Sequence, residues 1–250
     1  MKINSIYNKV DWQIQHLGDH AFVFLLPAIM NENIIAQIMK LKKFIASKKM
    51  EGIKDLIPSY HSLTIVYDIQ LLKETLYESF VSIDMIEFGN KLLTDYFNEP
   101  IFENKNKIEN EIIKVPVCYE IEYGIDLKNL SVLKNIQVEE IIKIHTNTIY
   151  NVYCLGFMPG FAYMGKVDAL IQINRHPKPR PLVPAGSVGI AGEQTGIYPM
   201  NAPGGWQIIG RTPIKIFDPI HLAKFNVADQ IQFYSIDKAT YLATNEYPTI

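Results

Sequence analysis

Arg175, Arg180 and Arg211 are the three arginines of the chain, and all fall in one stretch crowded with glycine and proline. Every other permanent cation is a lysine. Arginine differs from lysine in kind: its planar, permanently charged fork of donors holds a carboxylate or phosphate bidentately. The window 154–213 also carries ten of the fourteen glycines and eight of the fourteen prolines. Such a composition implies tight turns and close backbone approach, the materials of a shaped anion pocket. The alternative is that the arginines pin a loop-rich barrel together, since ion pairs of purely structural use are common.

Arg180 sits among Pro177, Pro179, Pro181 and Pro184, whose fixed φ values stiffen the segment. Arg211 follows a strand-like run ending in Gly210 and precedes Thr212-Pro213, which puts it near a rim. Both suit a carboxylate or phosphate ligand; as scaffold, either would pair with an acidic residue such as Glu193 or Asp218. GSVGIAG, 186–192, spaces three glycines three apart and is read as backbone N–H groups open to an anion, against the alternative of a strand edge with bulges. Gly186, Ser187, Gln194 and Tyr198 join the two arginines as candidate substrate-binding residues. His145 and Glu193 are the catalytic candidates, although His145 shares a helical face with Ile141 and Ile142 and fits a satisfied core histidine as well. Cys154 with His145 as base lacks any local signature.

GFAYMGKV, 160–167, matches G-x-x-x-x-G-K but ends in Val167, where a phosphate loop needs a hydroxyl for Mg²⁺. Phe161 and Tyr163 are bulky where such a loop needs bare backbone, so no nucleotide site is read here and Lys166 is a surface turn lysine. No Ser-His-Asp order, paired-carboxylate spacing or metal-ligand cluster stands out. That fits a site shared with another chain, and equally a binding protein without chemistry.

Two halves must position these residues. The first reads ββαββα: alternating strands at 11–16 and 20–26 about Gly18-Asp19, then a helix with Ile34, Ile38, Leu41 and Ile45 at helical spacing. Asn31 or Asn33 caps that helix and Gly52 lies past its end. Strands near 53–57 and 62–67 follow, then helix from 71 to 97 broken near 82–84. Polar residues dominate 98–111, which is read as a linker between an α/β domain at 1–100 and a β-barrel domain at 111–250. In the second half, strands at 112–119, 150–155, 187–191, 206–210, 214–217 and 231–236 alternate with Gly/Pro turns, the pattern of a barrel or sandwich. The aromatics Phe157, Phe161, Tyr163, Tyr198 and Trp206 are assigned mostly to barrel core, with a pocket lining as the alternative next to glycine. The whole is α+β.

A formal net charge of −2 and scattered lysines argue against a nucleic-acid surface. The first residues lack a signal-peptide core, and the longest apolar run, 21–30, is too short to span a bilayer, so the chain reads as cytoplasmic. Cys118 and Cys154 stand outside any CxxC pair and read as small buried hydrophobes.

Four blocks resemble one family: PSYHSL at 58–63, CLGFMPGFAYMG at 154–165, PKPRPLVPAGSVGIAGEQTGIYP at 177–199 and NAPGGWQIIGRTP at 201–213. The resemblance is to the 5-oxoprolinase B-subunit family, also called allophanate hydrolase subunit 1 or KipI, and covers nearly the whole chain. It implies a small α/β domain followed by a cyclophilin-like β-barrel. It also implies a complex with an A subunit, and with a homologous C subunit, that opens 5-oxoproline to glutamate using ATP and Mg, the isolated chain being inactive. Related alternatives are an inhibitor of a sporulation-type histidine kinase and a urea- or allophanate-pathway subunit. Where the family often carries Gly-Gly after the first barrel strand, this chain has Glu120-Ile121.

Overall fold

The computed structural model describes residues 2–3, 12–76, 84–99, 111–244 and 246–247. The chain divides into two compact units, Met1–Glu109 and Asn110–Ile250. From residue 100 to 110 the expected linker lies outside the described residues, as does the expected helix break, except for Asp84. Limited proteolysis is expected to cut first within 98–111 and leave two resistant fragments; a first cut inside either unit overturns that division.

The first unit is an antiparallel sheet in the order β1-β2-β3-β5-β4 with helices. Its strands are β1 (Lys2–Ile3), β2 (Trp12–His16), β3 (Ala21–Leu25), β4 (Ile53–Ser59) and β5 (Ser62–Tyr67). Between β3 and β4 runs α1 (Glu32–Ser47); α2 (Ile69–Leu76) and α3 (Met85–Asn98) follow β5. Alternation puts Leu63, Ile65 and Tyr67 of β5 inward, where they share the core with Phe22 and Phe24. The Asn31 side chain caps α1 by accepting from the Asn33 N–H at 2.7 Å. Ile35, Ile38, Leu41, Phe44 and Ile45 form its buried face, each contributing roughly 1.5–3 kcal/mol by leaving water. The left-handed residue after α1 is Lys49 (φ 47) and not Gly52 (φ 92), which belongs to the turn entering β4. A side chain at Gly52 would lie 2.6 Å from the Leu72 backbone nitrogen, so that turn requires glycine for space.

The second unit is a closed barrel. Its elements in chain order begin with β6 (Ile113–Cys118), α4 (Leu127–Lys134), α5 (Val138–Asn147), β7 (Ile149–Leu155), β8 (Ala162–Gly165) and β9 (Arg180–Val183). Then come β10 (Ser187–Ala191), β11 (Gln194–Ile197), β12 (Ala202–Gly204), β13 (Gln207–Arg211), β14 (Phe217–Asp218), β15 (Leu222–Ala223), β16 (Gln230–Ile236) and α6 (Lys238–Thr244). The barrel runs β10-β11-β8-β7-β16-β6-β13 and closes back on β10. β16 and β6 pair in parallel over six positions, Ile231 with Ile113 through Ile236 with Cys118. Of the strand expected at 214–217 only Phe217 is extended, in β14, and α4, β8, β9, β11, β12, β15 and α6 had no expectation in the sequence. No helix among the described residues is long and apolar enough to cross a membrane.

Period two decides what the barrel strands do. Ala162, Met164, Ile197 and Ile209 point into the main core with Val117, Val152, Val188 and Phe233. Their immediate neighbours Phe161, Tyr163, Tyr198 and Ile208 therefore point outward, and with Val183 and Trp206 they build a second, smaller core on the outside of the wall. The aromatics assigned mainly to the barrel interior are thus the outer layer. A cleft lies in that layer.

Candidate functional site

The outer aromatic layer borders a cleft of about 440 Å³, within the range of about 300–1,000 Å³ usual for small-ligand sites. Phe161 is its hub. Its ring meets Tyr163, Tyr198 and Trp206 edge-to-face at centroid distances of 4.8, 5.4 and 5.3 Å. Such T-shaped contacts place positive ring edges on negative faces and hold the rings in fixed orientation. Gly204 is part of the same packing: a Cβ there would run into the Tyr198 hydroxyl. Burial raises the pKa of that phenol against a hydrogen bond to the Trp206 backbone that lowers it, so Tyr198 is neutral at physiological pH. At the mouth stands Phe157, 69 % exposed and left-handed at φ 71. A bulky residue held there costs on the order of 1–3 kcal/mol, and such strain concentrates at functional sites.

The rest of the wall comes from Arg175, His176, Pro177 and Pro179 and from residues 203–205 leading into Trp206. Two bonds lace these segments together: the His176 N–H donates to the Gly205 carbonyl at 2.6 Å, and Gln207 Nε2 donates to the Asn174 carbonyl at 3.0 Å. The lining includes the basic side chains Arg175 and His176 and no carboxylate.

Behind this wall lies Asp126, with only 7 % of its side chain exposed. Its Oδ2 accepts from the Ile208 N–H at 2.6 Å, while its own N–H donates to the Ile208 carbonyl at 2.9 Å, so it pairs with β13 as a strand would. Oδ1 receives Arg180 Nη2 at 2.5 Å and lies 3.4 Å from His176 Nε2, a buried nitrogen without a hydrogen bond. Arg180 also donates to the Trp206 carbonyl at 3.3 Å. The arginine expected to meet a ligand is committed to a carboxylate 54 residues away, and that partner is neither Glu193 nor Asp218.

Arg211 likewise has an internal role, donating from Nε to the Ala185 carbonyl at 2.7 Å. It sits opposite Ser187 in the β10–β13 register, so Arg211, Gly186 and Ser187 do come together, at the turn before β10. The anion-cradle reading of GSVGIAG is corrected there. β10 is flanked by β11 and β13, the Gly186 N–H donates to the Tyr198 carbonyl at 2.7 Å, and the Gly192 N–H to the Ile173 carbonyl at 2.7 Å. Ser187 is 2 % exposed. Gln194 lies in β11 opposite Gly165, and Glu193 forms an ion pair with Lys166 at 2.9 Å. Tyr198 is the candidate that lines the cleft.

His145 is fully buried. Thr195 Oγ1 donates to the Gly189 carbonyl at 3.0 Å, so it accepts from His145 Nε2 at 3.1 Å, leaving Nδ1 to accept from the Tyr119 hydroxyl at 2.7 Å. Burial lowers its pKa to about 3. The neutral ring stacks on Phe233 and has no open face for a substrate. Cys118 is buried and Cys154 half-buried, both as free thiols.

The segment 160–167 contains β8, a barrel strand paired with β7 and β11, and its Lys166 is taken by Glu193. It does not fit a nucleotide phosphate. Among the described residues no group of three His, Cys, Asp or Glu could hold a metal ion. The residues that shape the site but stand outside the candidates named from the sequence are Asp126, His176 and Arg175, the last weighed there only with the other two arginines. His176 stands within reach of a buried carboxylate and has only 25 % of its side chain exposed. Nothing local marks Asp126, because its partners lie 54 and 82 residues along the chain.

Residues 12–227 match the family model for the carboxyltransferase domain, subdomain C and D. The chain is 36% identical over 245 residues to the 5-oxoprolinase B subunit of Bacillus subtilis, covering 95% of this chain and 98% of that one. To the 5-oxoprolinase B subunit of Escherichia coli O157:H7 it is 43% identical over 111 residues, 44% of this chain and 51% of that one. Among solved structures, Kluyveromyces lactis urea carboxylase shares the fold at TM-score 0.70 and 17% identity, over 98% of this chain and 24% of that protein. The match thus takes in almost all of the Bacillus relative, about half of the Escherichia one and about a quarter of the yeast protein.

Proposed function

The chain belongs to the carboxyltransferase-domain, subdomain C and D, family that includes the B subunit of 5-oxoprolinase, and from that membership we propose that it is the B subunit of an ATP-dependent 5-oxoprolinase. In this reading it acts in the cytoplasm with an A subunit and with a homologous C subunit, and the complex opens 5-oxoproline to glutamate. The observation that carries the reading is the cleft itself. Its lining residues come from the blocks at 154–165, 177–199 and 201–213 and from the adjoining Arg175-His176, and its size and basic lining suit a small acid.

In the same reading ATP and Mg²⁺ serve the complex through another of its chains, in keeping with a segment 160–167 that is a barrel strand with Lys166 paired to Glu193. The chemistry ATP supplies is activation of the lactam amide toward ring opening. This chain's part is to bind and orient the small acid: the rings of Phe161, Tyr163 and Trp206 exclude water, and the laced segments about Arg175 and Gly205 hold the rest of the lining. The site is completed by the C subunit, since no self-contained catalytic constellation stands in the cleft.

The purified chain is therefore expected to show no 5-oxoproline-dependent ATP hydrolysis alone, and to support it once the A and C subunits join it. Robust turnover by the chain alone, or none with all three proteins present, would refute this reading.

A further inference from the structure

We infer that Arg175, and neither Arg180 nor Arg211, is the carboxylate receptor of the cleft, which takes a small carboxylate borne on a compact ring. This rests on the reading of the cleft as the chain's ligand site. The first argument is elimination among the arginines. Arg180 is bound to Asp126 and the Trp206 carbonyl, Arg211 donates from Nε to the Ala185 carbonyl, and neither lines the cleft. Arg175 is exposed, lines the cleft, and makes no hydrogen bond or ion pair among the described residues. A guanidinium without a partner retains its full bidentate capacity for a ligand.

The second argument is preorganisation. The peptide groups on both sides of Arg175 are tied to the facing wall, Asn174 through its carbonyl to Gln207 and His176 through its N–H to Gly205. Pro177 and Pro179 then restrict the chain that follows. The backbone carrying Arg175 is thus held while its side chain is free, so little backbone entropy is lost when an anion binds. Gly205 faces it: a Cβ there would lie 3.8 Å from the Arg175 Cβ, and its absence keeps that side of the cleft open.

The third argument is selectivity. With no carboxylate in the lining and Asp126 buried behind the wall against Arg180, nothing competes with an incoming anion for Arg175. The half-buried rings of Tyr163 and Trp206, packed on the buried ring of Phe161, offer apolar surface for a compact ring body. A cleft of about 440 Å³ sets the scale at a small molecule.

The test is titration of the full chain with 5-oxoproline and, separately, with its neutral carboxamide, followed by tryptophan fluorescence, since Trp206 lines the cleft. The wild-type chain is expected to bind the acid saturably and the carboxamide about tenfold or more weakly, the loss associated with a charge-assisted hydrogen bond. Arg175→Gln is expected to bind both equally weakly with an unchanged melting temperature, because Arg175 has no structural partner. Absence of saturable acid binding, equal affinity of the wild type for acid and carboxamide, or an unaffected Arg175→Gln protein overturns the inference. The enzyme reading fails separately. Turnover by the three-protein mixture with Arg175→Gln at the wild-type KM leaves that reading standing and removes this one. Carboxylate binding through Arg175 without turnover in any mixture does the reverse.

Discussion

Replacing Asp126 with alanine is expected to destabilise the barrel unit by about 2–4 kcal/mol and to open the cleft from behind. The buried N–H of Ile208 loses its acceptor, which costs about 1–3 kcal/mol. Arg180 loses its carboxylate partner; with 27 % of its side chain exposed it is partly rescued by water, which keeps the loss below the about 3–5 kcal/mol of a fully buried pair. At about 2–4 °C per kcal/mol for a unit of this size, thermal denaturation should register a drop of several degrees or more. Asp126→Asn retains an acceptor for Ile208 but not the charge, and is expected to fall between the two. Arg180→Lys keeps the charge but loses the fork that spans Asp126 and the Trp206 carbonyl, so it should lower the melting temperature and leave the activity of each folded molecule unchanged. A melting temperature for Asp126→Ala within a degree of wild type would show that the carboxylate is not holding the wall.

Acidification is expected to cost the chain stability through His145, and the sign follows from the direction of its shift. Folded, the ring titrates at about 3; unfolded, at the ordinary 6.5. The unfolded chain therefore binds the proton more readily between those values, and stability falls as pH drops through that window. The contribution is whole above about pH 6.5 and exhausted near pH 3. Each pH unit within the window is worth about 1.4 kcal/mol, so roughly 2 kcal/mol is lost by pH 5. The groups facing the ring, Tyr119, Thr195, Tyr150 and Phe233, supply no carboxylate to hold an imidazolium. Urea denaturation at pH 7.5 and pH 5 should show wild type losing about 2 kcal/mol more than His145→Gln, in which the other titrating groups are unchanged. Parallel losses in the two proteins would place the acid sensitivity elsewhere.

Much of the architecture was legible in the residues. The hairpin around Gly18, the face of α1, and the strands β6, β7, β10, β13 and β16 follow from alternation and helical spacing, because each pattern is local and repeats within one element. The residues that line the cleft fall inside the Gly/Pro-rich stretch 154–213, although not at the positions that stretch suggested for an anion cradle. The strands β9 and β12 escaped because their three or four residues include a proline and read as loop, and α4 because eight residues give barely two helical turns.

The roles of particular side chains within that region were decided only in three dimensions. Alternation says that Phe161 and Ala162 face opposite sides, but only barrel closure determines that Ala162 is inside and Phe161 belongs to the cleft wall. The three arginines look alike along the chain. What separates them is Asp126, brought to Arg180 across 54 residues by the pairing of its own backbone with β13, and the Ala185 carbonyl beside Arg211. A guanidinium is structural when the fold brings it an acceptor and available when it does not. The residue types and their local spacing are written along the chain, whereas which acceptor meets which donor depends on contacts between distant segments that exist only once the barrel has closed.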